Sequence, residues 1–132
     1  FFQIVKSIAP SMKERKYGRI VNILTSYVIG RPPNNQSSYI VSKYSLLGLS
    51  KSLSVELGSY GITVNSVSPS MTNTNLIEKL PLKLKEIIAN NIPVGRLADP
   101  NDITSAVLFL CSKNSSYISG ENILVSAGET MH

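Results

Sequence analysis

Hydrophobic residues recur along this chain with two spacings, one typical of helices and one of short buried strands. In residues 1–16 the apolar side chains form one helical stripe, which predicts an amphipathic helix. Apolar runs rich in β-branched residues at 19–24, 61–67 and 121–125 predict strands. Their near-continuous hydrophobicity is typical of parallel strands that are covered on both faces.

The longest predicted helix covers residues 37–58, with Ser37 or Ser38 as its N-cap and Gly58 at its C-terminal end. Its apolar stripe is broad, so we expect cover on more than one side, by the sheet and by another subunit. The polar stretch at 25–36 contains Gly and Pro and predicts a loop before this helix.

Two short helices are predicted after the second strand and the loop that follows it. They lie at 76–80 and 83–90, and Pro81 separates them because it cannot continue a helical hydrogen-bond ladder. The pair Asp99-Pro100 is typical of a helix start, and the helix it begins is expected to run to about Cys111.

Strands and helices thus alternate along the chain, without a repeat or a low-complexity tract. This order predicts the α/β class, with a three-stranded parallel sheet, helices on its faces and right-handed crossovers. A length of 132 residues is enough for one hydrophobic core, so we expect a single domain over 1–132.

Composition and charge exclude several classes of function. The net charge is +5, but the basic residues are scattered apart from a cluster at 13–19, which favours a solvated face over a nucleic-acid groove. No apolar run is long enough for a membrane span. Cys111 is the only cysteine, so no intrachain disulfide can form and the cytoplasm is expected. His132 is the only histidine, and no metal site is predicted.

Candidate chemistry begins with Tyr39 and Lys43, which lie four positions apart and therefore on one helix face. By itself the pair could equally be a half-buried ring beside an exposed Lys. Ser26 precedes Tyr39 by 13 positions and follows the first strand. Ligands of open α/β sheets bind at the carboxyl ends of strands, so these side chains can converge there. A loop serine satisfied by backbone is the alternative for Ser26.

Several motifs in this order resemble the classical short-chain dehydrogenases/reductases. The resemblance rests on Ser26, on Tyr39-Ile-Val-Ser-Lys43 and on the strand end Asn65-Ser-Val-Ser-Pro69, and it continues through 93–96 and 116–121 to the last strand. It implies the C-terminal part of a Rossmann-type, doubly wound parallel sheet. It also implies interconversion of a carbonyl and an alcohol with NAD(H) or NADP(H) as cofactor.

The resemblance assigns a role to each of the three residues. Tyr39 would be the general acid and base, although an unperturbed phenol, with a pKa of roughly 10, is poorly suited to cycling at neutral pH. The positive charge of Lys43 would favour the phenolate form, and Lys43 would also bind the nicotinamide ribose. Ser26 would hold and polarise the oxygen of a small carbonyl or alcohol substrate.

A loop after the second strand is also implied to contact the nicotinamide, through Pro69, Thr72 and Thr74. The family usually has Gly where this chain has Ser70, and a Ser would be strained if the backbone there had a positive φ. A polar turn that caps the helix at 76–80 is the alternative for Thr72. Arg96 is expected to tie down backbone carbonyls rather than to bind substrate.

The family's Gly-rich loop and the βαβ half that carries it are absent from this sequence. The family's catalytic Asn would likewise precede Phe1. We therefore expect a fragment of a longer enzyme, inactive and weak in dinucleotide binding when alone, with its first strand as a bare sheet edge. The whole enzyme is expected to be a homodimer or homotetramer through the helices at 1–16 and 37–58.

Within the family the pattern is most similar to 3-oxoacyl-carrier-protein reductases and to glucose-dehydrogenase-like members. The former carry basic residues before the Gly of both strands, where this chain has Tyr17 and Tyr60, although Lys16 and Arg19 are close enough to substitute. A non-enzymatic alternative also remains, namely a truncated family member that serves as a scaffold or dimerisation module.

Overall fold

A computed structural model describes residues 1–132. Its three parallel strands lie in the order β1-β2-β3, and four α-helices connect and cover them. In chain order the elements are α1 Phe2–Glu14, β1 Gly18–Ile23, α2 Ser37–Gly58, β2 Ile62–Pro69, α3 Leu82–Asn91, α4 Pro100–Cys111 and β3 Asn122–Val125. The predicted α/β class and three-stranded parallel sheet are confirmed, and the strand bounds shift by one or two residues.

The sheet is centred on β2, whose residues 62–68 are all buried. It pairs with β1 in the register Gly18 to Ile62 and with β3 in the register Ser66 to Asn122. The outer edge of β1 has no partner strand within this chain. None of the helices is both long and apolar enough to cross a membrane.

The main core lies between one face of the sheet and the helices α1 and α2. It consists of Val5, Ala9, Ile20, Leu53, Leu57, Ile62 and Val64. Only Val5 and Ala9 of α1 are buried, whereas Ile4 is 62% exposed. The predicted stripe of α1 is therefore only partly covered, because the helix packs on the sheet through one edge of that stripe.

The long helix α2 has the predicted length, but its start differs from the prediction. Gln36 is the N-cap and makes no side-chain capping bond, so the expectation of Ser37 or Ser38 was wrong. Within this chain the main core covers Leu53 and Leu57 of its broad apolar stripe, while Val55 remains 82% exposed.

The start of α4 follows the predicted Asp-Pro pattern and binds Arg96. The side chain of Asp99 accepts a hydrogen bond from Asn101 N at 2.9 Å, and that of Asp102 accepts one from Asp99 N at 2.7 Å. Arg96 donates to both Asp102 carboxylate oxygens, at 2.7 and 3.1 Å, and to the Leu97 carbonyl. Arg96 therefore donates to a backbone carbonyl, as expected, but its main partner is the Asp102 carboxylate.

Asp102→Asn is expected to change the acid dependence of stability. The Arg96 guanidinium and the Asp99 amide lower the pKa of Asp102 to about 2. In the unfolded chain an Asp has a pKa of roughly 3.9. The charged form therefore stabilises the fold above that pH, and this contribution is lost as pH falls towards the folded-state pKa.

Urea unfolding of both proteins between about pH 5 and pH 2 measures this effect. The difference in the free energy of unfolding between the wild type and the variant should shrink as the pH falls. In an Arg96→Gln background the pKa of Asp102 should rise towards its ordinary value, which removes most of the pH-dependent contribution. A difference between wild type and Asp102→Asn that is constant over the whole range would contradict the prediction.

Candidate active site

A cleft of about 710 Å³ opens at the carboxyl ends of β1 and β2. One wall is polar and comes from the loop after β1, the start of α2 and the loop after β2: Thr25, Ser26, Tyr27, Gln36, Tyr39, Thr72 and Thr74. The opposite wall is apolar and comes from the segment around α3: Leu76, Ile77, Leu80, Leu84 and Ile88. This arrangement is typical of a small-molecule site, with a few polar groups on a mostly hydrophobic surface.

Ser26 reaches the cleft because the chain turns sharply after β1. Leu24 N donates to Val67 O at 2.8 Å, which holds the chain against β2 for one more residue. The side chain of Thr25 accepts from Tyr27 N and caps a short 3₁₀ turn that begins at Ser26. Ser26 is only 3% exposed and lines the cleft, so its side chain is held in a defined place.

Tyr39 lies in the first turn of α2, is 40% exposed and lines the same cleft. Lys43 lies one turn later, and its Nζ is 5.6 Å from the centre of the Tyr39 ring. The same Nζ donates to Ile23 O, at the carboxyl end of β1, over 2.8 Å. The Lys43 ammonium is therefore held between the end of β1 and the Tyr39 ring.

Lys43 does not line the cleft itself. It lines a neighbouring cavity of about 410 Å³ together with Phe1 and residues of α2. The structure thus brings Ser26 and Tyr39 to one cleft and places Lys43 behind the Tyr39 ring.

A buried hydrogen bond sets the position of α2 relative to β1. Asn22 Nδ2 donates to Ser50 Oγ at 2.7 Å, and both residues are almost fully buried. Breaking such a bond leaves an unpaired polar group in the core, which costs about 1–3 kcal/mol. This contact therefore helps to hold Tyr39, on α2, in register with Ser26, which follows β1.

Pro69, Thr72 and Thr74 all line the cleft. Ser70 N donates to Val125 O at 3.0 Å, and Ser70 is not among the residues with a positive φ. The strain considered for a Ser in place of Gly is therefore absent. Thr72 Oγ1 donates to Ser70 O at 3.1 Å, which leaves its lone pairs available as acceptors.

Tyr27 was missed by the sequence analysis, although it lies next to Ser26 in the chain. It lines the cleft and is partly buried. Burial, the negative charge of Glu129 and the neighbouring Tyr39 phenol raise the pKa of Tyr27, in that order of importance. The apolar wall around α3 was also missed, because amphipathicity predicts a helix but not the surface that it faces.

The residues present fit one end of a dinucleotide. Tyr39, with Lys43 beside its ring, would hold a ribose, and the loop with Pro69, Thr72 and Thr74 would hold a nicotinamide, since the threonine hydroxyl oxygens can accept from its carboxamide. None of the helix N-caps is a Gly: they are Phe1, Gln36, Pro81 and Asp99. A pyrophosphate is typically held by a Gly-rich loop at a helix N-terminus, and this chain has no such loop.

Comparison with known proteins identifies the family. A family model described as Enoyl-(Acyl carrier protein) reductase matches residues 1–130. The 3-oxoacyl-[acyl-carrier-protein] reductase FabG of Rickettsia prowazekii is 40% identical over 131 residues, which are 98% of this chain and 54% of that protein. The FabG of Buchnera aphidicola is 40% identical over 130 residues, which are 98% of this chain and 53% of that protein.

A solved structure agrees with these relatives. The 3-oxoacyl-[acyl-carrier protein] reductase of Brucella melitensis superimposes with a TM-score of 0.92 at 27% identity, over 99% of this chain and 49% of that one. The chain thus spans about half the length of the proteins it matches. With a family model that covers nearly every residue and a matching fold, the chain belongs to the short-chain dehydrogenase/reductase family of oxidoreductases.

Proposed function

We propose that this chain is the catalytic and substrate-side half of an NAD(P)-dependent oxidoreductase that interconverts a carbonyl and an alcohol. The observation that carries the proposal is the cleft in which Ser26 and Tyr39 share a polar wall while the Lys43 ammonium lies behind the Tyr39 ring. The other half of the enzyme, including most of the dinucleotide site, is supplied by residues outside this chain.

In the direction of reduction, the reduced nicotinamide, when bound, would supply hydride to the substrate carbon. The Tyr39 hydroxyl donates its proton to the substrate oxygen, and Ser26 holds that oxygen by a hydrogen bond that strengthens as negative charge develops. Lys43 stabilises the phenolate that remains, because its ammonium is fixed nearby by the Ile23 carbonyl. In the direction of oxidation the same phenolate accepts the alcohol proton.

We also propose that the enzyme assembles into a homodimer or homotetramer, and exposed apolar surface supports this. Val41 of α2 and Ile4 of α1 are each more than half exposed, as is Val55. A homodimer or homotetramer that forms through α1 and α2 would cover these side chains. The cytoplasm remains the compartment we expect for it.

The relatives' names make a 3-oxoacyl thioester on a carrier protein a candidate substrate. Tyr17 and Tyr60 stand where the 3-oxoacyl-carrier-protein reductases have basic residues, and a cation lies over each of the two rings. Lys13 Nζ is 4.6 Å from the centre of the Tyr60 ring, and Arg19 Cζ is 4.6 Å from that of Tyr17. Positive charge is therefore kept at both places, which supports this substrate over that of a glucose-dehydrogenase-like member.

Ser26→Ala tests the proposed site. The variant is made in the protein extended by the residues that its gene encodes before Phe1, called the extended protein below. We expect kcat to fall by about 10²–10³-fold, because one preorganised donor to the developing oxyanion is lost. Dinucleotide affinity should be unchanged, since Ser26 hydrogen-bonds the substrate oxygen and not the dinucleotide.

Ser42→Ala is the matched control. Ser42 is on the exposed side of α2, and its hydroxyl donates to the Tyr39 backbone carbonyl. It should retain nearly full activity. Equal activities of the two variants would remove Ser26 from the mechanism.

A further inference from the structure

Tyr27 is a second phenol in the cleft that the proposed reaction does not use. In the chain it lies between Ser26 and the loop residues 31–34. It lines both the cleft and a shallow cavity of about 320 Å³ beside Arg31. The backbone N of Tyr27 donates to Thr25, whereas its hydroxyl makes no hydrogen bond within the chain. A partly buried phenol without a partner is suited to donate to a ligand.

A turn at residues 126–130 packs against the loop that carries Tyr27. Ser126 Oγ donates to Thr130 O at 2.9 Å, and Glu129 N donates to Ser126 O at 3.0 Å. The turn packs so closely on Gly30 that a Cβ there would come within 2.9 Å of the Thr130 methyl group. This packing helps to hold the loop, and with it Tyr27, in a defined place.

Burial, the negative charge of Glu129 and the Tyr39 phenol raise the pKa of Tyr27, in that order of importance. The direction of this shift favours the protonated phenol, which is the form that donates a hydrogen bond. The proposed reaction uses the Tyr39 hydroxyl as proton donor and acceptor, so Tyr27 is left to act as a neutral hydrogen-bond donor.

We propose that Tyr27 is a specificity-determining residue, whose phenol donates a hydrogen bond to a second oxygen of the substrate. The proposal rests on the proposed function, since it concerns the same cleft. In the proposed reaction, Ser26 and Tyr39 contact the reacting oxygen. Tyr27 follows Ser26 directly in the chain, so an oxygen a few bonds away from the reacting carbon is the one within its reach.

The test compares Tyr27→Phe with the wild type in the extended protein. The probes are methyl acetoacetate and an unbranched methyl ketone of the same chain length. We expect kcat/KM for methyl acetoacetate to fall about tenfold, mainly through KM, because one neutral hydrogen bond is lost. The value for the simple ketone should change less than about twofold. An equal loss on both substrates, or no loss on either, would overturn the proposal.

Normal reduction of the probes by the wild type, with no effect of Tyr27→Phe, would leave the proposed function standing while this proposal fails.

Discussion

Tyr39→Phe in the extended protein is expected to lower kcat by about 10²–10⁴-fold, the usual contribution of a positioned general acid. The change removes one oxygen from a ring that is already 40% exposed, so the fold should be little affected. Dinucleotide affinity should stay within a few-fold of the wild type, because Lys43 and the loop after β2 remain. Steady-state turnover and a fluorescence titration with the reduced dinucleotide measure the two quantities separately.

Tyr44→Phe is a matched control for this experiment. Tyr44 is on the same helix, is similarly exposed and does not line the cleft. It should keep nearly full activity. Retention of most activity by Tyr39→Phe would remove Tyr39 as the acid, and a parallel loss in both variants would indicate damage to α2 instead.

The second large effect is expected in dinucleotide binding. The 132-residue chain alone should show no saturable fluorescence change with NADH or NADPH at concentrations that saturate the extended protein. The reason is that the residues present contact one end of the molecule, while no Gly-rich helix N-terminus holds the pyrophosphate. Titrations of both proteins with both dinucleotides also show which of the two is preferred.

These titrations distinguish the proposed oxidoreductase from the alternative, a non-catalytic scaffold. Binding by the extended protein alone would support the proposed oxidoreductase. Binding by neither protein would favour a non-catalytic dimerisation module, whereas ordinary affinity and turnover in the isolated chain would refute the proposal that this chain is only half of the enzyme.

Local sequence patterns predicted most of the fold. The short apolar runs formed strands as predicted, but only β2 is buried along its length, whereas β1 alternates between buried and more exposed residues and β3 is mostly half-buried. The start of α4 followed from Asp99-Pro100, since both residues satisfy the special needs of a first helical turn. The start of α2 was predicted less well, because Gln36 caps it without a side-chain bond that sequence could indicate.

The partners of the helix surfaces were not predictable from spacing alone. Periodicity indicated apolar stripes on α1 and α2, but which members are buried depends on the elements packed against them. In this chain the sheet covers Val5 and Leu53 and leaves Ile4 and Val55 exposed.

For the candidate site, the sequence by itself determined the identity and order of Ser26, Tyr39 and Lys43, since their spacing follows from a strand end and one helical turn. Only the tertiary structure decided that Lys43 lies behind the Tyr39 ring on the Ile23 carbonyl, rather than in the cleft. It alone also brought the C-terminal turn against the loop after β1, because residues a hundred positions apart, such as Gly30 and Thr130, meet only through the packing of the chain. Local chemistry thus determined which groups are present, and long-range packing determined which of them act on one another.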